Sequence, residues 1–282
     1  MTRVAIFTDS ASDLDPADAA ATGIHIIPLE VTFGGQTFKS GVDMSTQEFW
    51  DRMTAPDAPF PKTAASSPGE FKAAYEAAFA GGAESIVSIH VASTLSGTIK
   101  SAAIARGMLP DREIHIVDSM SASMAEGILA RMAVEMAAEG RSAADIAEAL
   151  EARVPDIRVY VALDSLDYLK KGGRISGTQA AIGTLLSVKP IIVVENGTVE
   201  TADRVRTRAK ARERLLELVC ARPIERIAIL HTLSPDVEGF RDQVLARDPG
   251  IDPAHVSLEL VGPSVGPHLG PGCVGATVLY RA

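Results

Sequence analysis

Short apolar runs alternate with longer stretches of helical period through the first half of the chain, the pattern of a largely parallel sheet with crossover helices. Val4-Phe7 predicts a first strand, which ends in Thr8-Asp9-Ser10-Ala11-Ser12-Asp13. Ile24-Thr32 predicts a second, followed by a turn at Gly34-Gly35. Ser45-Thr46-Gln47-Glu48 is a capping box that opens a helix. Ser67-Pro68-Gly69-Glu70 is another, with proline at the first helical position, so Ser67 is expected as a cap and not as a ligand contact. Strands are expected at Ile86-Val91 and Ile114-Val117, an Ala-rich helix over Ser123-Ala138, and a further helix entered through Ser142-Ala143-Ala144-Asp145. Val154-Pro155-Asp156 predicts a linker between domains 1–156 and 157–282.

The second half opens with a strand at Val159-Leu163. Asn196-Gly197 between the β-branched run Ile191-Val194 and Val199 predicts a tight hairpin. Helix Arg206-Cys220, strand Ile227-Leu230, helix Val237-Ala246 and strand Val256-Leu260 follow. The fold class expected is α/β, with two domains and largely parallel sheets, and hydroxyl-bearing turns gather at the strand C-terminal ends, where open α/β sheets bind ligands.

At 282 residues, 46% of them apolar, the chain is long enough for two cores. The apolar run at the N-terminus is too brief for a signal peptide and no apolar stretch is long enough to span a bilayer, so a cytoplasmic protein is expected, with no transmembrane segment. Cys220 and Cys273 match no metal-ligand spacing and are expected as reduced packing residues. The net charge of −9 argues against nucleic acid as a partner. It is uneven: from Arg153 to Arg214 there are twelve Lys/Arg and seven Asp/Glu, a local balance of +5 that leaves −14 for the rest. That stretch is a candidate partner or phosphate face, or a solvated helix surface.

The most informative chemistry lies after Ile86-Val91. A turn carrying Ser93, Thr94, Ser96 and Thr98, with Gly97 among them, runs into a helix whose first amides lack partners. Such a junction holds an anion, and one cap needs only one hydroxyl. Gly262-Pro263-Ser264-Val265-Gly266 matches the G-x-S-x-G elbow, but Pro267, Gly270, Pro271 and Gly272 predict irregular chain where an elbow needs a helix, and no acid follows Ser264. A catalytic serine is therefore not expected. His268 is the one imidazole in this Gly/Pro-rich loop, which favours ligand contact. Asp9-Ser10-Ala11-Ser12-Asp13 is similar to a calcium loop without its glycine and glutamate, so Ser12 or Asp13 is expected to cap the next helix. No motif for ATP, NAD or zinc is present; no cofactor and no metal is expected.

Six marks in order resemble the DegV family of bacterial lipid-binding proteins over essentially the whole chain. They are Thr8-Asp9-Ser10 with Ser12-Asp13-Leu14; Thr63 ahead of Ser67-Pro68 and Phe71; Leu95-Ser96-Gly97-Thr98; Tyr168 to Ile175 with its Lys170-Lys171-Gly172-Gly173-Arg174; Lys189-Pro190-Ile191; and Gly262-Pro263 through His268 to Gly275. Two hydroxyls usual in the family are missing, one in Thr63-Ala64-Ala65-Ser66-Ser67 and one at Ala92-Ser93. The resemblance implies a protein that holds one long-chain fatty acid between its domains. A separate ATP-binding fatty acid kinase subunit would phosphorylate its carboxylate, so this chain would not be a self-sufficient enzyme. It further implies that Thr63, Ser96 and His268 bind the head group, with Ser93, Gly97 and Thr98 beside them. Arg174 would lie near the head group and the partner's docking face, with Arg206 as the second candidate. An autonomous hydrolase or phosphotransferase and a small-anion sensor are the alternatives.

Overall fold

The computed structural model describes residues 3–175 and 188–282. Chain order in the first half is β1 (Val4–Asp9), α1 (Pro16–Thr22), β2 (Ile24–Ile27), β3 (Glu30–Phe33), β4 (Gln36–Lys39), α2 (Thr46–Met53), β5 (Lys62–Ala64), α3 (Pro68–Ala80), β6 (Ser85–His90), α4 (Thr98–Gly107), β7 (Glu113–Asp118), α5 (Met124–Ala138) and α6 (Ala143–Arg153). The second half continues with β8 (Ile157–Ala162), α7 (Asp167–Lys171), β9 (Lys189–Glu195), β10 (Thr198–Val205), α8 (Arg208–Val219), β11 (Ile224–His231), α9 (Val237–Arg247), β12 (Val256–Leu260), α10 (Gly266–Leu269) and β13 (Val274–Tyr280). The protein is α/β.

The first sheet, ordered β2-β1-β6-β7, is parallel throughout, as the alternating pattern requires. The single strand expected over Ile24-Thr32 is instead two strands in different sheets. Pro28 has no N–H to continue the ladder. The break is held from both sides, since Leu29 N donates to Ser10 Oγ (2.8 Å) and Ser66 Oγ donates to Pro28 O (2.5 Å). Beyond it, β4-β3-β5 forms a small antiparallel sheet that packs with α2 through Val31, Phe33, Phe49 and Trp50.

The six-stranded sheet, β10-β9-β8-β13-β11-β12, corrects the expectation of largely parallel sheets: only β11 and β12 run parallel. The reason is local. Asn196 (φ 49) and Gly197 (φ 75) close the expected two-residue turn, which can only join antiparallel strands. The last strand, β13, which the apolar pattern had not singled out, enters antiparallel between β8 and β11.

Caps fall where the sequence puts them at Ser45, Ser67 and Ser142. The cap of α1 is Asp15, not Ser12 or Asp13, because Pro16 takes the first helical position; Asp15 accepts from Ala17 N and Asp18 N. The Gly262-Gly272 segment, expected to be irregular, contains the single-turn helix α10.

Helix α5 lies in the middle of the molecule. Met124, Leu129 and Met132 share one core with Ile6, Val87 and Val117 of the first sheet and with Val159, Val161, Ile192 and Leu230 of the second. Trp50 Nε1 donates to Val261 O (2.8 Å), seating the small sheet on the segment that leads into α10.

Candidate functional site

A cavity of about 130 Å³ lies where the two halves meet. Its apolar wall comes from Ala11, Leu29, Val91 and Leu95 on one side and Leu169, Ile192, Val194, Val199 and Leu269 on the other. Thr63, Ser96, Gly97, Arg174, Ser264 and His268 also line it. No Asp or Glu does.

Of the polar lining residues, Thr63 and His268 are within hydrogen-bond distance of each other, and Arg174 and Ser96 are held by their neighbours. Thr63 Oγ1, on β5, lies 3.4 Å from His268 Nε2 on α10. The His268 ring rests on Gly172, where a β-carbon would stand 2.1 Å from Nδ1. Arg174 Nη1 donates to Gly172 O (2.7 Å) and its Nε to Leu95 O (3.2 Å), next to Ser96. Ser96 Oγ accepts from Thr98 N (3.3 Å) and shares a hydrogen bond with Thr98 Oγ1 (2.8 Å). When Thr98 donates, the Ser96 proton is free for the cavity. Gly97, not a hydroxyl, is the N-cap of α4 and offers no side-chain cap; the first amide of the helix, Thr98 N, is the one that Ser96 Oγ accepts from.

Of the four hydroxyls after β6, only Ser96 lines the cavity. Ser93 does not: its Oγ donates to Asp118 Oδ2 at the end of β7 (2.6 Å). Thr94 donates to Gly197 O at the tip of the β9-β10 hairpin, and Thr98 is buried behind Ser96. Arg206 lies past the end of β10, exposed and away from the cavity, with no ion pair among the described residues. We expect Ser93→Ala to leave ligand affinity within about twofold and to cost roughly 1 kcal/mol of stability or less, read by chemical denaturation. A tenfold loss of affinity would return Ser93 to the site.

Burial, and secondarily the charge of Arg174, pushes the His268 pKa down to about 4, so its imidazole is neutral at physiological pH. Among the described residues the lining side chains offer hydroxyls and an imidazole that can donate, with a single cation and no anion. They suit a carboxylate or phosphate.

Sequence reasoning set Ser264 aside as a nucleophile, and its hydroxyl does bond to Ser10 Oγ (2.9 Å) rather than to a histidine. It is nevertheless part of the cavity wall. So are Ile192, Val194 and Val199, whose only signal was an apolar run.

Beneath the site lies a second polar layer. Asp9 Oδ2 bonds His90 Nδ1 (2.9 Å), His90 Nε2 bonds Ser88 Oγ (2.7 Å) and Ser88 Oγ bonds the Tyr75 hydroxyl (2.8 Å). Asp13 accepts from Ser123 Oγ (2.6 Å) and Gly262 N (2.8 Å), yet burial pushes its pKa up to about 7. Glu126, on the first turn of α5, is fully buried and neither carboxyl oxygen has a hydrogen-bond partner among the described residues. Burial, then the nearby charges of Asp9 and Asp13, hold its pKa well above the usual carboxylate range. Among the described residues, no group of three His, Cys, Asp or Glu is placed to hold a metal ion, and no helix is long and apolar enough to cross a membrane.

The profile described as "uncharacterised protein, DegV family" matches residues 3–281. The chain belongs to the DegV family. A DegV domain-containing protein of Streptomyces coelicolor is 35% identical over 284 residues, covering 99% of each chain, and one of Caldanaerobacter subterraneus is 34% identical over 281 residues, covering 98% of each. Among solved structures, a fatty-acid-binding DegV protein of Thermus thermophilus superposes with a TM-score of 0.90 at 32% identity, over 99% of this chain and 100% of its own. The Bacillus subtilis DegV, described as a fatty acid binding protein, gives 0.88 at 30% identity with both chains fully covered. In this DegV chain, three of the segments that carry the family resemblance, Leu95-Ser96-Gly97-Thr98, Gly172-Gly173-Arg174 and the Gly262-Gly275 loop, meet at the cavity.

Proposed function

We propose that this DegV protein binds one long-chain fatty acid in the cavity between halves 1–156 and 157–282, with its carboxylate on Thr63, Ser96 and His268. The observation that carries this reading is a largely apolar cavity lined by hydroxyls, an imidazole and a guanidinium, and by no acid among the described residues. Relatives from Thermus thermophilus and Bacillus subtilis described as fatty acid binding support it. Burying the tail gains about 0.8 kcal/mol per methylene, so the chain supplies affinity and the head group sets orientation.

The carboxylate is then presented to a separate ATP-binding kinase subunit in the cytoplasm. One carboxylate oxygen attacks the γ-phosphorus of ATP, the bond to the ADP oxygen breaks, and an acyl phosphate forms. Neutral hydroxyls and a neutral imidazole orient the nucleophile, and Arg174 beside them supplies the positive charge that helps to hold it. The Lys/Arg-rich stretch, with Arg206 exposed on it, is the face offered to that partner.

Mass spectrometry of an organic extract of the purified protein should find close to one equivalent of fatty acid per chain. Thr63→Val and Ser96→Ala should each weaken binding of added palmitate about tenfold. Repeated absence of lipid together with no uptake of palmitate or oleate overturns the reading.

A further inference from the structure

Gly172 follows α7 with φ −77, a conformation open to any residue, so backbone freedom is not what calls for glycine here. The constraint is steric. A β-carbon would stand 2.1 Å from His268 Nδ1 and 2.8 Å from its Cε1, so that edge of the ring lies directly on the glycine backbone. His268 Nδ1 is closed to solvent and no hydrogen-bond partner faces it among the described residues. A proton there would be a buried donor without an acceptor, pressed against a Cα–H. A lone pair there instead meets that Cα–H in a weak attractive contact. Arg174, fixed on Gly172 O, adds a positive charge that further opposes protonating both nitrogens.

We propose that Gly172 is a positioning residue that holds His268 in the tautomer protonated on Nε2, so that a neutral N–H faces Thr63 and the cavity. Hydrogen-bond directions then follow. His268 Nε2–H donates to Thr63 Oγ1, which leaves the Thr63 hydroxyl proton to point at the ligand. With the Thr63 hydroxyl made a donor in this way, the site prefers an ionised carboxylate over a fatty alcohol, which is neutral and offers an O–H of its own. This consequence for the ligand rests on the fatty-acid reading; the tautomer itself does not.

The test begins with nitrogen-15 NMR of the full chain labelled at histidine, with the His268 signals identified by their loss in His268→Gln. The spectrum of an imidazole protonated on Nε2 alone is expected from pH 5.5 to 8. Protonation on Nδ1, or exchange between both forms, overturns the proposal. Binding of cis-parinaric acid, a fluorescent fatty acid, supplies the second arm. His268→Gln, whose amide nitrogen reaches the Nε2 position, should lose no more than about threefold, whereas His268→Asn, which reaches only Nδ1, should lose about tenfold. Gly172→Ala should also lose about tenfold, but have no effect in the His268→Gln background, where no ring is left to displace. Equal loss in both backgrounds would make Gly172 merely structural and overturn the assignment. If the wild-type protein takes up no cis-parinaric acid, the fatty-acid reading falls while the spectrum still decides the tautomer.

Discussion

Replacing Glu126 with glutamine is expected to stabilise the protein progressively as pH rises. The folded-state pKa of Glu126 is raised well above 4.5 by burial, so the folded chain retains a proton that the unfolded chain releases. A raised carboxyl pKa contributes stability that is complete below the unfolded pKa and is lost as pH climbs toward the folded one. The loss is about 1.4 kcal/mol for each pH unit while the group stays protonated in the fold. Glutamine keeps the shape, carries no proton to release, and can donate to the neighbouring acids. Urea titrations of both proteins at pH 5, 6.5 and 8 should diverge in the variant's favour as the pH rises. Parallel curves would mean that Glu126 ionises inside the fold with a partner. Asp13, with its pKa near 7, adds to the wild-type decline only up to about neutrality.

Arg174→Met is expected to lower affinity for cis-parinaric acid about 100-fold, the range set by one or two charge-assisted hydrogen bonds. Arg174 is the one lysine or arginine lining the cavity among the described residues, and its guanidinium bridges Leu95 O and Gly172 O. Arg174→Lys retains the charge but cannot span both carbonyls, so an intermediate loss is expected. Arg206→Ala, far from the cavity, should leave binding intact and slow only the reaction with a kinase subunit. Undiminished binding by Arg174→Met would place its role at the partner surface instead.

Elements specified by neighbouring residues were legible. Asn196-Gly197 dictates its hairpin, Ser45 and Ser67 announce their capping boxes, and the alternation of strand and helix gives the parallel sheet. Contacts that depend on distant chain were not. Ser93 and Ser96 are equivalent in sequence, and what separates them is Asp118, brought beside Ser93 by the pairing of β6 with β7. Thr63 and His268 are 205 residues apart, and only family resemblance linked them. The Gly172-His268 contact had no local signal, since a glycine chosen for space looks the same as one chosen for a turn. The order of the six-stranded sheet was equally hidden, because β13 completes it from the end of the chain.

The position of α5 constrains how a ligand can come and go. With one helix wedged between the two sheets and sharing its buried surface with both, the halves cannot open like the covers of a book without exposing the core they have in common. Among the described residues, the smaller pieces at the cavity are the single turn of α10 and Gly172 at the end of α7, which rests against it. Release rates should follow the looseness of those two segments, and heating should melt the molecule in a single step rather than shed one half before the other.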